Sequence, residues 1–379
     1  MSKKLGFGFM RLPVLDKNDP SSFDYELINK MVDTFIENGF SYFDTALTYH
    51  GSESETAIRE AVVKRHKRED FTIATKLPPR VLKNSTEQEE IFNEQLEKCG
   101  VDYFDYYLVH NIGISSYAKA REFGTFEFVR EKKRQGKIKN IGMSFHDKPE
   151  LLDEILTLNP DLDFVQLQIN YYDWESPSIQ SRRCCEIASK HNKPVIVMEP
   201  CKGGNLSAVP EEAEKMMKTY NNTASVSSWA MRFAAQCDGV IMVLSGMNTM
   251  EQLYDNMKTL DNPKPLTNDE MEMLSKVSEI ISSNTAIDCT SCGYCMEGCP
   301  KNIAIPEYFH LYNEVKRDIE ERITNQLVYY NNIIVSRGRA VECIGCGKCE
   351  KVCPQHLSIK EHLKQVSSVF DDAPALPSR

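Results

Sequence analysis

Pro194-Val195-Ile196-Val197-Met198-Glu199 places four apolar residues in succession, and seven comparable runs recur before about residue 285. Strands that are apolar at consecutive positions are buried on both faces, as in parallel sheets covered by helices. The eight predicted strands are Leu5–Leu12, Phe40–Ala46, Phe71–Leu77, Phe104–His110, Ile138–Phe145, Phe164–Asn170, Pro194–Glu199 and Val240–Ser245. Amphipathic stretches separate them, so the pattern predicts an α/β fold, a (β/α)₈ TIM barrel.

An open doubly wound sheet is the alternative architecture. Its usual marker is a glycine-rich fingerprint after the first strand. Gly6-Phe7-Gly8-Phe9-Met10 lacks the third glycine of that fingerprint.

The composition narrows the class of protein. With 379 residues the chain is longer than one barrel of about 250 residues. Its 41% hydrophobic and 26% charged residues exclude a disordered chain. The net charge of −10 offers no basic footprint for nucleic acid or an anionic membrane. No signal peptide or membrane-spanning run is visible, which predicts a cytoplasmic protein.

The sequence predicts three segments. Residues 1–285 would form the barrel, closed by a helix from Thr267, with Glu270 completing a capping box, to about Ser282. Residues 286–370, punctuated by Cys, Gly and Pro, would form a small second domain. Residues 371–379 would be a flexible tail.

Two cysteine blocks of identical spacing define the second domain. Both the block from Cys289 to Pro300 and that from Cys343 to Pro354 have the form C-x₂-C-x₂-C-x₃-C-P. This is the bacterial two-cluster ferredoxin spacing, in which the fourth cysteine of each block binds the other block's cluster. We therefore predict two [4Fe–4S] clusters, one on Cys289, Cys292, Cys295 and Cys353, the other on Cys343, Cys346, Cys349 and Cys299. Two zinc ribbons are the alternative, but they favour pairs of C-x₂-C knuckles.

The segment between the blocks is expected to be helical. Glu307–Asn313 continues into Val315–Leu327 with charges on one face. The second domain therefore resembles α-helical ferredoxins, which makes it a mainly α-helical, ferredoxin-like domain.

Four polar residues fall at or just after the ends of three consecutive predicted strands: Asp44, Tyr49, Lys76 and His110. In a TIM barrel the carboxyl ends of the strands carry the active site. One such residue alone means little, because strand-end polar groups are commonly solvated or structural. All four in this order predict a catalytic group.

Here the sequence resembles the aldo-keto reductase family, and the whole chain resembles its subgroup with a C-terminal ferredoxin module. The resemblance covers most of residues 1–285 and is carried by Gly6–Leu12, Phe43–Tyr49, Ser52–Glu55, Lys76, His110, Gly136–Ser144 and Met198–Gly204. It implies that Asp44, Tyr49, Lys76 and His110 form the catalytic tetrad. Tyr49 would act as general acid towards a carbonyl oxygen, Lys76 would lower its pKa, Asp44 would hold Lys76, and His110 would orient the carbonyl.

The resemblance also implies where a nicotinamide cofactor would bind. Its carboxamide would contact Ser144, Gln168 and Asn170, and its phosphates and adenine would contact Ser245, Gly246, Met247, Asn248, Gln252 and Asn256. Family members that hold the 2′-phosphate of NADP usually carry Lys or Arg there, and this chain has neither between Val240 and Met257. NADP, NAD or no nicotinamide therefore stay open, and FMN is not excluded.

The expected function is that of an iron–sulfur oxidoreductase acting on a carbonyl or related small organic substrate. Electrons would come from NAD(P)H, from the clusters, or from both, with an external ferredoxin or flavodoxin as a further donor. The alternative is an electron-transfer or docking subunit whose barrel binds a partner and whose tetrad is idle.

Overall fold

The first unit is a closed barrel of eight parallel strands in sequence order. The strands are β1 (Leu5–Gly8), β2 (Tyr42–Asp44), β3 (Thr72–Leu77), β4 (Phe104–Ile112), β5 (Ile138–Phe145), β6 (Phe164–Gln168), β7 (Val195–Met198) and β8 (Val240–Gly246). This computed structural model describes residues 3–16, 19–176, 179–283, 286–287, 289, 294–317, 324–351 and 357–373. The predicted (β/α)₈ barrel is confirmed.

Helices follow the strands around the outside of the barrel. They are α1 (Tyr25–Glu37), α2 (Ser54–Ile58), α3 (Glu87–Cys99), α4 (Ile114–Glu122), α5 (Thr125–Arg134), α6 (Pro149–Leu158), α7 (Ser181–Lys190), α8 (Glu211–Tyr220), α9 (Val226–Gln236), α10 (Met250–Asp261) and α11 (Asn268–Ser283). The first strand is shorter than its apolar run predicts, because Phe9–Arg11 turns into a 3₁₀ helix instead of continuing to Leu12.

Two glycines make room for the aromatic side chains inside the barrel. A Cβ on Gly6 would lie 2.6 Å from Leu244 and 2.9 Å from Tyr42, and one on Gly142 would lie 2.6 Å from the Phe164 ring. Real Cβ atoms do not approach so closely, so these positions favour glycine. The barrel interior is therefore a packed core, and the space for ligands lies at its mouth.

The helix that ends the barrel segment begins as predicted. The amide of Glu270 donates to Oγ1 of Thr267 at 3.2 Å, and the Glu270 carboxylate accepts from the Thr267 amide at 2.8 Å. This reciprocal pair is the capping box that the sequence predicts at the start of α11.

The second unit has its own hydrophobic core and is helical. Its helices are α12 (Tyr294–Glu297), α13 (Ile305–Arg317), α14 (Thr324–Ile333), α15 (Lys348–Lys351) and α16 (Ile359–Phe370). Tyr308, Tyr330 and Phe370 pack at its centre, with the Tyr330 and Phe370 rings stacked 4.9 Å apart. Ile179, from the barrel segment, is buried in the same core, so the two units share packed surface.

The chain stays tied down at the start of the predicted tail. The carboxylate of Asp371 accepts from the Tyr330 hydroxyl at 2.8 Å, from Arg339 at 2.9 Å and from the Val341 amide at 2.8 Å. Residues 374–379 lie outside the described part of the chain. Within the described residues, no helix is long and apolar enough to cross a membrane.

Candidate active site

The structure brings together the four residues of the predicted tetrad. Lys76 Nζ lies 2.5 Å from Asp44 Oδ1, 2.6 Å from the Thr45 carbonyl oxygen and 3.4 Å from the Tyr49 hydroxyl. The rings of Tyr49 and His110 meet edge to face, with centroids 6.1 Å apart. Asp44, Lys76 and His110 sit on β2, β3 and β4, so parallel neighbouring strands deliver them to one place.

Burial governs the charges of this group. Burial raises the pKa of Tyr49 above its ordinary value, and Lys76 opposes that effect without overcoming it. The phenol therefore keeps its proton at neutral pH. Burial would lower the pKa of Lys76, but Asp44 outweighs it, so the pKa of Lys76 is raised and the amine stays charged. The expected acid-strengthening effect of Lys76 is present, but burial outweighs it.

Two histidines beside the tetrad are held neutral. Burial lowers the pKa of His110 well below its usual value, with Lys76 adding to the effect, and lowers the pKa of His146 to about 4. The Nδ1 atom of each ring is buried and has no hydrogen-bond partner among the described residues. A neutral imidazole at His110 can orient a carbonyl oxygen by a hydrogen bond without adding charge to the site.

A cavity of about 730 Å³ opens over the tetrad. Asp44, Tyr49 and His110 line it, together with Gln166, whose amide nitrogen lies 3.5 Å from Asp44 Oδ2. The volume falls within the range of small-molecule and cofactor sites. Tyr49 begins a short helical turn in which His50 and Gly51 have positive φ, so local backbone geometry turns the chain back over the mouth.

The residues expected to hold a nicotinamide carboxamide are divided by the structure. Ser144 lines the cavity, and its Oγ accepts from the Asn111 amide at 2.7 Å. Gln168 and Asn170 are buried beside the cavity and are not among the residues that line it. Their amide nitrogens donate to Asp173 Oδ2 at 2.8 and 2.7 Å, which occupies them within the protein.

The stretch after β8 is similarly divided. Ser245, Gly246, Asn248, Gln252 and Asn256 line the cavity. Met247, in contrast, is fully buried and packs into the barrel's outer core.

The helix that follows β8, α10, begins at the cavity. Its N-cap is Thr249, whose Oγ1 accepts from the Gln252 amide at 3.2 Å, so its amide ends lie near any bound anion.

Charge near that helix start differs from what a 2′-phosphate would require. Glu251 and Asp255 line this part of the cavity. The nearest cation is Arg11, whose side-chain carbons would lie about 3 Å from a Cβ on Gly246. Nη2 of Arg11 lies 3.9 Å from the Glu199 carboxylate. A dianionic phosphate would therefore meet one arginine and two carboxylates here.

The C-terminal unit supplies part of the cavity wall. Asn325 and Val328, both on α14, line the cavity. Nδ2 of Asn325 donates to Glu199 Oε1 at 2.9 Å, and Nδ2 of Asn332 donates to the His146 carbonyl at 3.0 Å. No local pattern in the sequence signals these contacts, because they join elements more than a hundred residues apart.

A buried charge network fixes α13 to the barrel. Nζ of Lys202 lies 2.7 Å from Asp173 Oδ1 and 2.9 Å from Glu314 Oε1, and His310 Nε2 lies 3.1 Å from that same Glu314 oxygen. Burial would raise the pKa of Glu314, but Lys202 and His310 outweigh it, so the pKa of Glu314 is lowered. The Ser176 hydroxyl lies 2.9 Å from His310 Nε2 and completes the contact.

Four predicted cluster ligands surround one small cavity in the C-terminal unit. They are Cys299, Cys343, Cys346 and Cys349. Gly345 and Gly347 between them have φ of 68° and 70°, a left-handed conformation that glycine adopts without strain. The donor set fits one [4Fe–4S] cluster, with the fourth cysteine of block one joining three from block two.

The other predicted cluster set is only partly described. Cys289 and Cys295 belong to the C-terminal core, whereas Cys292 and Cys353 lie outside the described residues. Among the described residues, no three His, Cys, Asp or Glu side chains are grouped so as to hold a single metal ion.

Comparison with known proteins gives the same two units. The aldo/keto reductase family profile matches residues 4–279, and a 4Fe-4S dicluster domain profile matches residues 288–358. The uncharacterized oxidoreductase YqkF of Bacillus subtilis is 23% identical over 274 residues, which span 64% of this chain and 85% of that protein.

Two solved structures show the same fold in the barrel. An aldo-keto reductase from Bacillus halodurans in its holo form has a TM-score of 0.58 at 21% identity, covering 72% of this chain and 91% of that one. One from Klebsiella pneumoniae in complex with NADP and acetate has a TM-score of 0.57 at 16% identity, covering 73% of this chain and 91% of that one. The chain therefore belongs to the aldo/keto reductase family and is an oxidoreductase whose barrel is followed by a 4Fe-4S dicluster domain.

Proposed function

We propose that the protein reduces a carbonyl or a related small organic substrate at the barrel mouth, with Tyr49 as general acid. The carrying observation is that Lys76 lies between Asp44 and Tyr49 inside the same cavity that α14 of the cluster domain helps to form. A protonated phenol can donate to the oxygen of a carbonyl as negative charge develops there. The ammonium of Lys76 then stabilises the phenolate that remains.

The same cavity would orient the substrate. His110, neutral and with an unpartnered buried nitrogen, would donate a hydrogen bond to the carbonyl oxygen. Asp44 would keep Lys76 charged and in place. The burial of this group excludes water, which strengthens each of these electrostatic interactions.

Two [4Fe–4S] clusters would supply single electrons, one bound by Cys289, Cys292, Cys295 and Cys353 and the other by Cys343, Cys346, Cys349 and Cys299. The carboxylates near α10 argue against a tight grip on the 2′-phosphate of NADP. We therefore propose that the clusters are the main electron source and that NAD(P)H, where it binds, is held without a phosphate clamp. The C-x₂-C spacing also fits a reducing compartment, the cytoplasm.

An anaerobic titration of the iron-loaded protein tests the electron source. NADPH and NADH would be added separately, with nicotinamide fluorescence and cluster absorption followed together. We expect weak binding of either nucleotide. Tight, NADPH-selective binding would contradict the proposed absence of a phosphate clamp.

Substitution of Tyr49 by Phe tests the acid. With dithionite as electron donor and a panel of small aldehydes and ketones, we expect turnover to fall by about 10²–10⁴-fold. Tyr254→Phe, on an exposed ring of α10, is the matched control and should be unchanged. Equal turnover by the two variants would remove Tyr49 from the mechanism and favour an idle tetrad.

A further inference from the structure

The loop that carries the second cysteine block faces solvent. Cys346 is exposed, and so are the apolar side chains of Ile344 and Val341, at 61% and 58%. Cys295 of the first block is, in contrast, only 6% exposed. Any cluster bound by the second block would therefore have an edge close to the surface.

Cations surround this apolar loop. Lys301 and Lys348 line the cavity of the second block, Lys351 follows on α15, and Arg337 donates to Asn302 beside Lys301 at 2.6 Å. We call these four side chains, with Val341 and Ile344, the basic rim. No carboxylate of the described residues lies within ion-pair distance of Lys301, Lys348, Lys351 or Arg337.

The carboxylates on the same face are already engaged. Glu350 pairs with Lys360 at 3.1 Å, and Glu342 accepts from the Arg339 amide at 2.7 Å. Arg339 itself is paired with Asp371. The rim is thus a local excess of positive charge on a chain whose net charge is −10.

We propose that the basic rim is the docking site of an acidic one-electron carrier protein, of the flavodoxin or ferredoxin class. This inference rests on the clusters of the proposed function. A small apolar centre within a charged periphery is typical of transient electron-transfer encounters, which bury less than about 1,200 Å². Opposite charge accelerates such encounters and orients the partners.

The step at the rim is a transfer of one electron. The reduced carrier loses one electron, the oxidised cluster bound by the second block gains it, and no bond is made or broken at the surface. A second such transfer fills the other cluster, so the two clusters together hold the two electrons that reduction of a carbonyl requires.

The test measures the reaction of iron-loaded protein with a purified acidic flavodoxin in its fully reduced form. Stopped-flow absorption would follow bleaching of the clusters at low and high salt. We expect the double variant Lys301→Glu/Lys351→Glu to react at least about tenfold more slowly than wild type at low salt. High salt should slow the wild type and largely remove the difference between the two proteins.

Lys215→Glu/Lys218→Glu on α8 is the matched control, because it makes the same charge change at exposed lysines far along the chain. Iron content and dithionite reduction identify variants that lose clusters. If the double variant fails to load iron, Arg337→Glu replaces it, six residues from Cys343. Equal rates for rim and control variants, or a rate independent of salt, would overturn the proposal.

Two further measurements separate this inference from others. Dithionite-driven turnover bypasses the rim, so its absence in wild type would refute the proposed function and leave the docking result standing. Sedimentation of wild type and rim variant tests for a second copy as the occupant. Self-association that only the rim variant loses would overturn docking of a carrier.

Discussion

Replacing Lys202 by Met removes the ammonium that holds the cluster domain against the barrel. Lys202 is 5% exposed, and its partners Asp173 and Glu314 are 0% and 1% exposed. Breaking a buried ion pair by removing one partner typically costs about 3–5 kcal/mol, because the other charge stays buried. Met keeps the length of the side chain, so the loss of packing is small.

The structure places the expected cost near the lower end of that range. Asp173 keeps two amide donors, from Gln168 and Asn170, and Glu314 keeps His310 at 3.1 Å. We therefore expect a loss of about 3 kcal/mol in the free energy of unfolding. With an m-value of about 3 kcal/mol per molar urea, the midpoint falls by roughly 1 M.

Anaerobic urea unfolding of the iron-loaded protein measures this with two probes. Trp174 and Trp229, the two tryptophans of the chain, both lie in the barrel segment, and cluster absorption reports on the C-terminal domain. We expect coincident transitions in the wild type and an earlier loss of cluster absorption in Lys202→Met.

Lys190→Met is the control, because Lys190 pairs with Asp153 at a surface where their side chains are 60% and 33% exposed. It should cost less than about 1 kcal/mol. A Lys202→Met variant no less stable than the Lys190→Met control would refute the assignment of a buried, stabilising network.

Three other predictions follow from the site. Lys76→Met should lower turnover by about 10² or more, since Asp44 is left buried without its cation and Tyr49 without its stabilising charge; steady-state kinetics with dithionite measures it. The pKa of about 4 at His146 lies below that of the unfolded chain, so stability is lost as pH falls from about 6.5 towards 4. Between pH 7.5 and 5.5 that loss amounts to about 1 kcal/mol, and urea unfolding at both pH values should show it reduced in His146→Asn. Val328→Phe should weaken ligand binding in the cavity by about tenfold with unchanged cluster absorption, whereas Leu158→Phe, at an exposed position, should not; fluorescence titration distinguishes them.

Periodicity predicts the barrel and its tetrad because both depend on local order along the chain. A strand's end is visible in the sequence, and the parallel topology then places all such ends together. The bounds of α3 and α6 coincide with their predicted stretches for the same reason. The roles of the tetrad residues and the boundaries of the domains stay predictions.

Contacts between distant elements were beyond the sequence. Gln168 appears free to bind a ligand until Asp173 is seen to accept its amide. Asn325 and Val328 belong to a domain that the sequence presents as separate, so nothing indicated that they line the barrel's cavity. Cysteine spacing, in contrast, identified Cys299 with the second block's cysteines, because ligand sharing is written into the motif itself.

The wall that α14 contributes to the cavity has a thermodynamic consequence. A ligand that contacts both Asn325 and the barrel binds the docked arrangement of the two domains more tightly than a separated one. Such a ligand must therefore stabilise docking by the same free energy that docking adds to its own affinity. Retention of the cluster domain and occupancy of the cavity are then reciprocal quantities, and a loss of iron that loosens the domain would be felt first as a loss of affinity at the mouth.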